Sequence, residues 1–227
     1  MRILVACEES QTITKAFRKL GHEAFSCDLL PCSGGHPEWH YQQDVFEVIN
    51  NGWDLMIAHP PCTYLSVAGA WAMYNKDGSI NKVRMKNQND ALDFVRKLMD
   101  APIERIAIEN PISIISSQIR KPDQIVHPYH FGDKASKATC LWLKNLPKLK
   151  HTNIVEKGEF MQYIDKKTGK IKKMAKWMND CALESMKESD PNKRKLIRQK
   201  LRSKTFQGIA NAIAYQWTKH FTNLDKV

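Results

Sequence analysis

Apolar and polar positions change period repeatedly along the first two-thirds of the chain. Ile3-Leu4-Val5-Ala6 is a short apolar run bounded by polar residues, the pattern of a buried strand. Ile13, Ala16, Phe17 and Leu20 then recur at helical spacing, and Gly21 supplies a helix end. Glu23-Ala24-Phe25-Ser26-Cys27 reads as the next strand, closing with Asp28. Asp54-Leu55-Met56-Ile57-Ala58 predicts another, stopped by Pro60-Pro61. Ala91, Leu92, Phe94, Val95, Leu98 and Met99 mark one face of a helix. Ile106-Ala107-Ile108 predicts a strand ending at Glu109, and Thr139-Cys140-Leu141-Trp142-Leu143 one more. This alternation of strand and helix predicts an α/β fold with a largely parallel sheet. Such sheets bind ligands beyond the carboxyl ends of their strands, so the polar residues there are the candidates for chemistry.

The last third reads differently. Phe160-Met161-Gln162-Tyr163-Ile164 and Lys170-Ile171-Lys172-Lys173-Met174 flank Asp165-Lys166-Lys167-Thr168-Gly169, which predicts a hairpin. Lys193-Arg194-Lys195-Leu196-Ile197-Arg198-Gln199-Lys200-Leu201-Arg202 predicts a basic helix. Residues 151–204 hold fifteen Lys or Arg against seven Asp or Glu, most of the chain's formal net charge of +11. A charge excess of one sign, confined to one region, points to a polyanionic partner, and nucleic acid is the commonest.

Composition narrows the classes. In 227 residues, 42% hydrophobic and 26% charged suits a globular chain. No uninterrupted apolar run approaches the ~18 residues that suggest a membrane span. The start, Met1-Arg2-Ile3-Leu4-Val5-Ala6-Cys7-Glu8-Glu9, turns acidic too soon for a secretory leader. Six scattered cysteines without such a leader argue against a disulfide framework and for a reducing cytoplasm.

Four strand ends carry suggestive groups. Cys7-Glu8-Glu9-Ser10-Gln11-Thr12 leads into a helix, whose free N–H groups could hold a ligand carboxylate. Asp28 follows the second strand, where an acid commonly accepts bonds from ribose hydroxyls, and Asp44 precedes an apolar residue further on. His59-Pro60-Pro61-Cys62-Thr63-Tyr64-Leu65-Ser66 closes another strand. Two prolines fix two φ angles and remove two donors, so Cys62 stands on a stiff turn. Glu109-Asn110-Pro111 ends the neighbouring strand and could bring a carboxyl group beside Cys62.

In this order the features resemble the DNA cytosine-5 methyltransferases, especially their small phage- or prophage-borne members. Asp54 through Cys62 is similar to the family's Pro-Pro-Cys motif, Ser66 to a serine that follows it, and Glu109-Asn110 to its Glu-Asn-Val motif. Phe206-Gln207-Gly208-Ile209-Ala210-Asn211-Ala212 resembles the last motif, which packs beside the cofactor. The resemblance implies a Rossmann-like S-adenosylmethionine-dependent methyltransferase sheet with a small basic insertion. It implies a catalytic domain at 1–150, a basic DNA-contacting region at 151–204, and a C-terminal helix at 205–227 returning to the catalytic domain. Cys62 takes the nucleophile's place and Glu109 that of the catalytic carboxyl. Asp28 and Asp44 fall where the ribose and adenine of S-adenosylmethionine bind, with Cys7, Glu8, Ser10, Pro60 and Asn211 as further cofactor contacts. Ser66, Lys137, Lys172, Lys173, Arg194 and Arg198 are the expected contacts to DNA. A phage-borne enzyme of this kind works in the cytoplasm of a bacterial host.

The chain also departs from the family. Cys7-Glu8-Glu9-Ser10-Gln11 stands where a glycine-rich motif is usual, Thr63 replaces a glutamine, and Pro111 a valine. No Gln-x-Arg-x-Arg motif is present; Lys134, Lys137 and Lys144 are candidates for its arginine. Three other readings follow from the residues. An exocyclic-amine methyltransferase would use Asp, Asn or Ser before Pro-Pro and an aromatic after, where this chain has His59 and Cys62. A DNA-binding protein on an inactive methyltransferase scaffold fits the missing arginine motif. Cys27, Cys32, His36 and His40 could bind zinc, although their middle spacing is far below the ~12 residues of a zinc finger.

Overall fold

The computed structural model describes residues 1–166 and 168–224, with side chains through Lys219. Lys167 of the expected hairpin turn and residues 225–227 of the expected C-terminal helix lie outside the described residues. In chain order the elements are β1 (Arg2–Ala6), α1 (Thr12–Lys19), β2 (Glu23–Cys27), β3 (His40–Tyr41), α2 (Val45–Val48), β4 (Leu55–Ala58), α3 (Lys82–Met99), β5 (Arg105–Pro111), α4 (Ile115–Gln118), β6 (Gln124–Val126), β7 (Thr139–Lys144), β8 (Phe160–Ile164), β9 (Ile171–Ala175), α5 (Lys176–Ser185), α6 (Pro191–Ser203) and α7 (Gln207–Leu224).

The chain divides into two compact units. The first comprises Met1–Val126, Ala138–Lys150 and the residues from Ala210 onward; the second comprises His127–Lys137 and His151–Ile209. The first unit holds a seven-stranded sheet in the order β3-β2-β1-β4-β5-β7-β6. β1 to β5 pair in parallel, and β7 pairs antiparallel with both of its neighbours, β5 and β6. This is the largely parallel α/β sheet that the alternating pattern predicts, and it is Rossmann-like, as the resemblance implies.

Side chains alternate across the strands, so each strand serves two layers. Leu4, Met56, Ile106 and Ile108 face a core completed by Val45 and Val48 of α2 and by Leu92, Val95 and Leu98 of α3. α1 packs on β1 and β2 with Ile13, Ala16 and Phe17 buried. Trp142 is buried at 1% exposure and its Nε1 donates to the Arg120 carbonyl at 2.7 Å, so its polar edge is satisfied inside the core. Among the described residues no helix is long and apolar enough to cross a membrane.

One strand departs from expectation. β5 continues through Glu109 and Asn110 to Pro111, because β7 offers a ladder along its whole length, from Ile106↔Lys144 to Pro111↔Thr139. Glu109 is therefore held inside a strand rather than in the loop after it. The proline sits at the last pair, where a missing donor matters least.

In the second unit β8 and β9 form the expected hairpin, in register from Phe160↔Ala175 to Ile164↔Ile171. Asp190 caps α6 by accepting the N–H groups of Asn192 and Lys193, and Pro191 occupies the first helical position. Asp133 caps α7 through the Gly208 N–H at 2.8 Å. Gly208 has no room for a side chain: an added Cβ would lie 2.0 Å from the Phe131 carbonyl oxygen. Gly208→Ala gains about 1 kcal/mol of helix propensity, but the clash opposes it with about 1–3 kcal/mol or more of overpacking. The variant is expected to melt earlier and to lose hydrogen-exchange protection around Phe131 and the start of α7. An unchanged or raised midpoint would show that the carbonyl moves aside freely.

Candidate functional site

β4 leaves the centre of the sheet between β1 and β5, and its pairing extends to the His59 N–H, which donates to the Ala6 carbonyl at 2.9 Å. The Pro60-Pro61-Cys62 turn follows. Carbonyl oxygens along the turn and just beyond it accept hydrogen bonds from several donors. Asn110, 1% exposed on β5, donates Nδ2 to the Pro60 carbonyl at 2.8 Å. The Leu65 and Ser66 N–H groups donate to the Cys62 carbonyl at 3.1 and 2.9 Å. Arg84 Nη2 donates to the Thr63 carbonyl at 2.9 Å, and Gln88 Nε2 to the Tyr64 carbonyl at 3.2 Å. The Arg84 guanidinium also lies 4.7 Å from the centre of the Tyr64 ring, a cation–π contact. Cys62 itself is partly exposed and is not in a disulfide.

Glu109 precedes Asn110 on the adjacent strand. Its Oε2 is 2.9 Å from Nδ1 of His59, and the two side chains are only 15% and 13% exposed. Two bonds, His59 to Glu109 and Asn110 to Pro60, thus tie the ends of β4 and β5 together. The sequence marked Cys62 and Glu109 but assigned no role to His59, Arg84 or Gln88. Polar residues four apart at the start of a helix, Arg84 and Gln88, were the available signal for the last two.

A cavity of about 220 Å³ opens beside this turn. Its lining brings together Cys7, Cys27, Asp28, Gln43, Asp44 and Pro60 from the ends of four strands, with Leu29, Val45, Tyr64 and Phe94 as larger apolar and aromatic walls. Asp28 Oδ1 accepts the Leu30 N–H at 2.8 Å. Burial pushes its carboxyl above the usual aspartate range, and the charge of Glu9 adds to the shift. Asp44 caps α2 by accepting the Phe46 N–H at 3.0 Å. Cys7 adopts φ 58°, and burial, followed by the charge of Asp28, drives its thiol strongly upward. The Cys27 thiol is pushed up to about 12, again first by burial and then by Asp28.

Several expected contacts lie elsewhere. Glu8 is 5% exposed and does not line the cavity. Its carboxylate accepts the N–H groups of Ile13 and Thr14, at 2.7 and 3.2 Å, and the Thr14 hydroxyl at 2.7 Å. The helix start that was expected to hold a ligand carboxylate thus already holds one from the chain itself. Ser10 sits in the same loop with its hydroxyl 3.2 Å from that of Thr12, and Asn211 is exposed on α7; neither is among the residues lining the cavity. Ser66 caps the 3₁₀ segment that follows by accepting the Ala68 N–H.

Among the basic candidates, Lys137 donates Nζ to the Arg202 and Lys204 carbonyls, closing the end of α6. Arg194 donates Nε and Nη2 to the Glu188 carbonyl and Nη2 also to that of Ser189, fastening the turn before α6. Those donors build the second unit. Arg198 is exposed on α6, and Lys172 and Lys173 on β9, with Lys172 paired to Asp165. Lys172 opposes Tyr163 and Lys173 opposes Gln162, so the two lysines point to opposite faces of the hairpin.

The possible zinc ligands are otherwise engaged. Cys27 Sγ donates to the Gln43 carbonyl and Cys32 Sγ to Gln11 Oε1, while both His40 ring nitrogens lie within 3.0 Å of oxygen partners. Among the described residues no group of three or more His, Cys, Asp or Glu side chains is placed to hold a metal ion.

No protein-family model matches the chain, and no curated protein does. Among solved structures it is similar to the crystal structure of an E. coli prophage protein described as a DNA modification methyltransferase. The two are 13% identical, with a TM-score of 0.44 over 69% of this chain and 52% of the other. The chain therefore spans about half the length of that protein.

Asp28 yields a prediction about stability. Its raised carboxyl favours the protonated form in the fold, so its contribution is fully present below the unfolded aspartate range and is lost as pH rises through the folded one. At pH 7 the ionised group opposes folding. Asp28→Asn should therefore melt no lower than wild type at pH 7, with the gap closing as the pH is lowered. A variant that melts well below wild type at neutral pH would refute this.

Proposed function

We propose that the chain transfers a methyl group from S-adenosylmethionine to carbon 5 of cytosine in DNA, through a covalent adduct between Cys62 and an extruded base. The observation that carries this reading is the His59–Glu109 pair, which joins β5 to β4 where the Pro60-Pro61-Cys62 turn leaves it, with Pro60 and Pro61 lining the cavity.

The cavity's residues suit the adenosine part of the cofactor. Asp28 offers a carboxylate to vicinal hydroxyls, and Leu29, Val45 and Phe94 offer apolar walls to a flat ring. When bound, S-adenosylmethionine supplies an electrophilic methyl group on a sulfonium. The chain's own residues supply the rest. Carbon 5 of cytosine is a weak nucleophile within an aromatic ring. Addition of the Cys62 thiolate at carbon 6 makes carbon 5 enamine-like. Glu109, sharing a proton with N3, the ring nitrogen beside the amino-bearing carbon, offsets the charge that develops on the ring. After substitution a base takes the carbon 5 proton, and the C–H electron pair restores the ring double bond as Cys62 leaves as the thiolate. A stacked base is out of reach of this turn, so it must leave the helix at a few kcal/mol. The exposed cations of the second unit, among them Lys173 and Arg198, suit the phosphates of such a substrate.

Two measurements test the reading. Cys62→Ser keeps the shape but offers a hydroxyl of far higher pKa, so turnover should nearly vanish. Wild type should be trapped on DNA carrying 5-fluorocytosine, and the serine variant should not. Normal turnover by Cys62→Ser, or an adduct mapped to another cysteine, would overturn the mechanism. Asp28→Asn should lower the affinity for S-adenosylmethionine in calorimetry by roughly tenfold, the ~1–1.5 kcal/mol of a lost charge-assisted bond. Unchanged affinity would remove Asp28 from the cofactor site.

A further inference from the structure

The segment leaving the Cys62 turn carries a largely exposed aromatic surface. Val67–Met73 is a 3₁₀ segment built mainly of small residues, yet Trp71 on it is 80% exposed, and Tyr74 just beyond is 61% exposed. The segment is shaped rather than frayed. Tyr74 bridges to Ile80, the Asn75 N–H donates to the Ser79 carbonyl at 2.8 Å, and the Asn81 N–H returns to the Met73 carbonyl at 2.8 Å. Lys76 and Lys82 are exposed and follow these rings closely in the chain, and residues 67–86 hold four basic side chains against one acid. The same Arg84 Nη2 that holds the Thr63 carbonyl also reaches the Gly69 carbonyl at 3.3 Å. One guanidinium therefore fixes the aromatic segment to the turn that presents Cys62.

We propose that Trp71 and Tyr74 form a stacking platform for the unpaired bases of a nucleic-acid strand, with Lys76 and Lys82 taking its phosphates. The inference rests on the reading of Cys62 as acting on a nucleic-acid base, and it names the form of that substrate: single-stranded or locally opened DNA. Aromatic side chains stack on any base, but only where a base face is uncovered. Flanking cations match the backbone charge that accompanies such a strand. A lipid surface would call for a continuous apolar face. Here other exposed apolar side chains, Val67, Ile80 and Val83, are interleaved along the chain with Asn75, Lys76, Asp77, Ser79 and Lys82 and form no continuous run.

Fluorescence anisotropy on a Cys62→Ser background, without turnover, tests the platform. The probes are a labelled cytosine-containing single strand and its duplex. The single strand is expected to bind more tightly than the duplex. Trp71→Ala should weaken single-strand binding roughly tenfold, within the range measured for one base–aromatic stack, and Trp71→Phe should restore most of it. Trp71→Ala should leave the slope of log K against log salt unchanged, whereas Lys76→Ala with Lys82→Ala should make it shallower. Equal binding by Trp71→Ala would overturn the platform. So would protection of Trp71 from acrylamide quenching by vesicles of anionic phospholipid but not by the oligonucleotide. Stacking that survives in a protein with no methyl transfer would sink the methyltransferase reading alone. Methyl transfer on duplex DNA that ignores Trp71→Ala would sink the platform alone.

Discussion

Pro60 and Pro61 remove two amide donors where β4 meets its ligand end, so the turn carrying Cys62 is anchored through its carbonyl oxygens. Each donor comes from a different direction: Asn110 from β5, Arg84 and Gln88 from α3, and the turn's own Leu65 and Ser66 amides. A buried carbonyl without a partner costs about 1–3 kcal/mol, so the arrangement is favoured as a set. Ser66 and Ser113 also bridge, which ties the far side of the turn to the residues after β5. The thiol's position is thus decided by the packing of a strand and a helix against a loop that has little freedom of its own.

The cavity depends on a second substitution of the same kind. Glycine-rich loops leave helix N–H groups open to a ligand. Here a buried glutamate closes them, and the chain reaches that geometry with residues that rarely adopt it: Cys7 at φ 58° and Gln11 at φ 56°. Glu8 supplies the bonds that make such a loop tolerable, and the Gln11 side chain extends the network to the His36 carbonyl and the Ser26 hydroxyl. What is left facing the cavity is acidic and apolar.

Much of the central sheet was legible because its strands are apolar and covered on both faces. β1, β2, β4 and β7 stand where the runs of Val, Ile, Leu and Ala place them. β3 and β6, of two and three residues, are too short to show a period, and their existence depends on the neighbours they pair with. The candidate site was legible in part. The Pro-Pro turn marks Cys62 by local chemistry, and a carboxylate after an apolar strand marks Glu109. His59 gave no such sign, because its role is a contact across fifty residues of sequence. Glu8 misled for the complementary reason: an acid at a helix start reads the same whether it faces a ligand or folds inward to cap the helix. Lys137 and Arg194 were chosen for their charge, and their geometry uses them as donors: Lys137 at the C-terminal end of α6, which attracts cations, and Arg194 on the turn before that helix.

The acids around the cavity also act as a filter on what enters. Asp28 and Asp44 line it, the charge of Glu9 is felt at Asp28, and Glu8 has already cancelled the positive end of α1. No lysine or arginine is among the described lining residues. An adenine nucleotide would bring its phosphates against carboxylates with no cation to receive them, whereas a nucleoside with a positively charged tail meets attraction from the same groups. Adenine is common to the most abundant nucleotides of a cell. On the proposed reading of the cavity as an adenosine site, the same carboxylates would disfavour nucleotides that carry that ring on a phosphate tail.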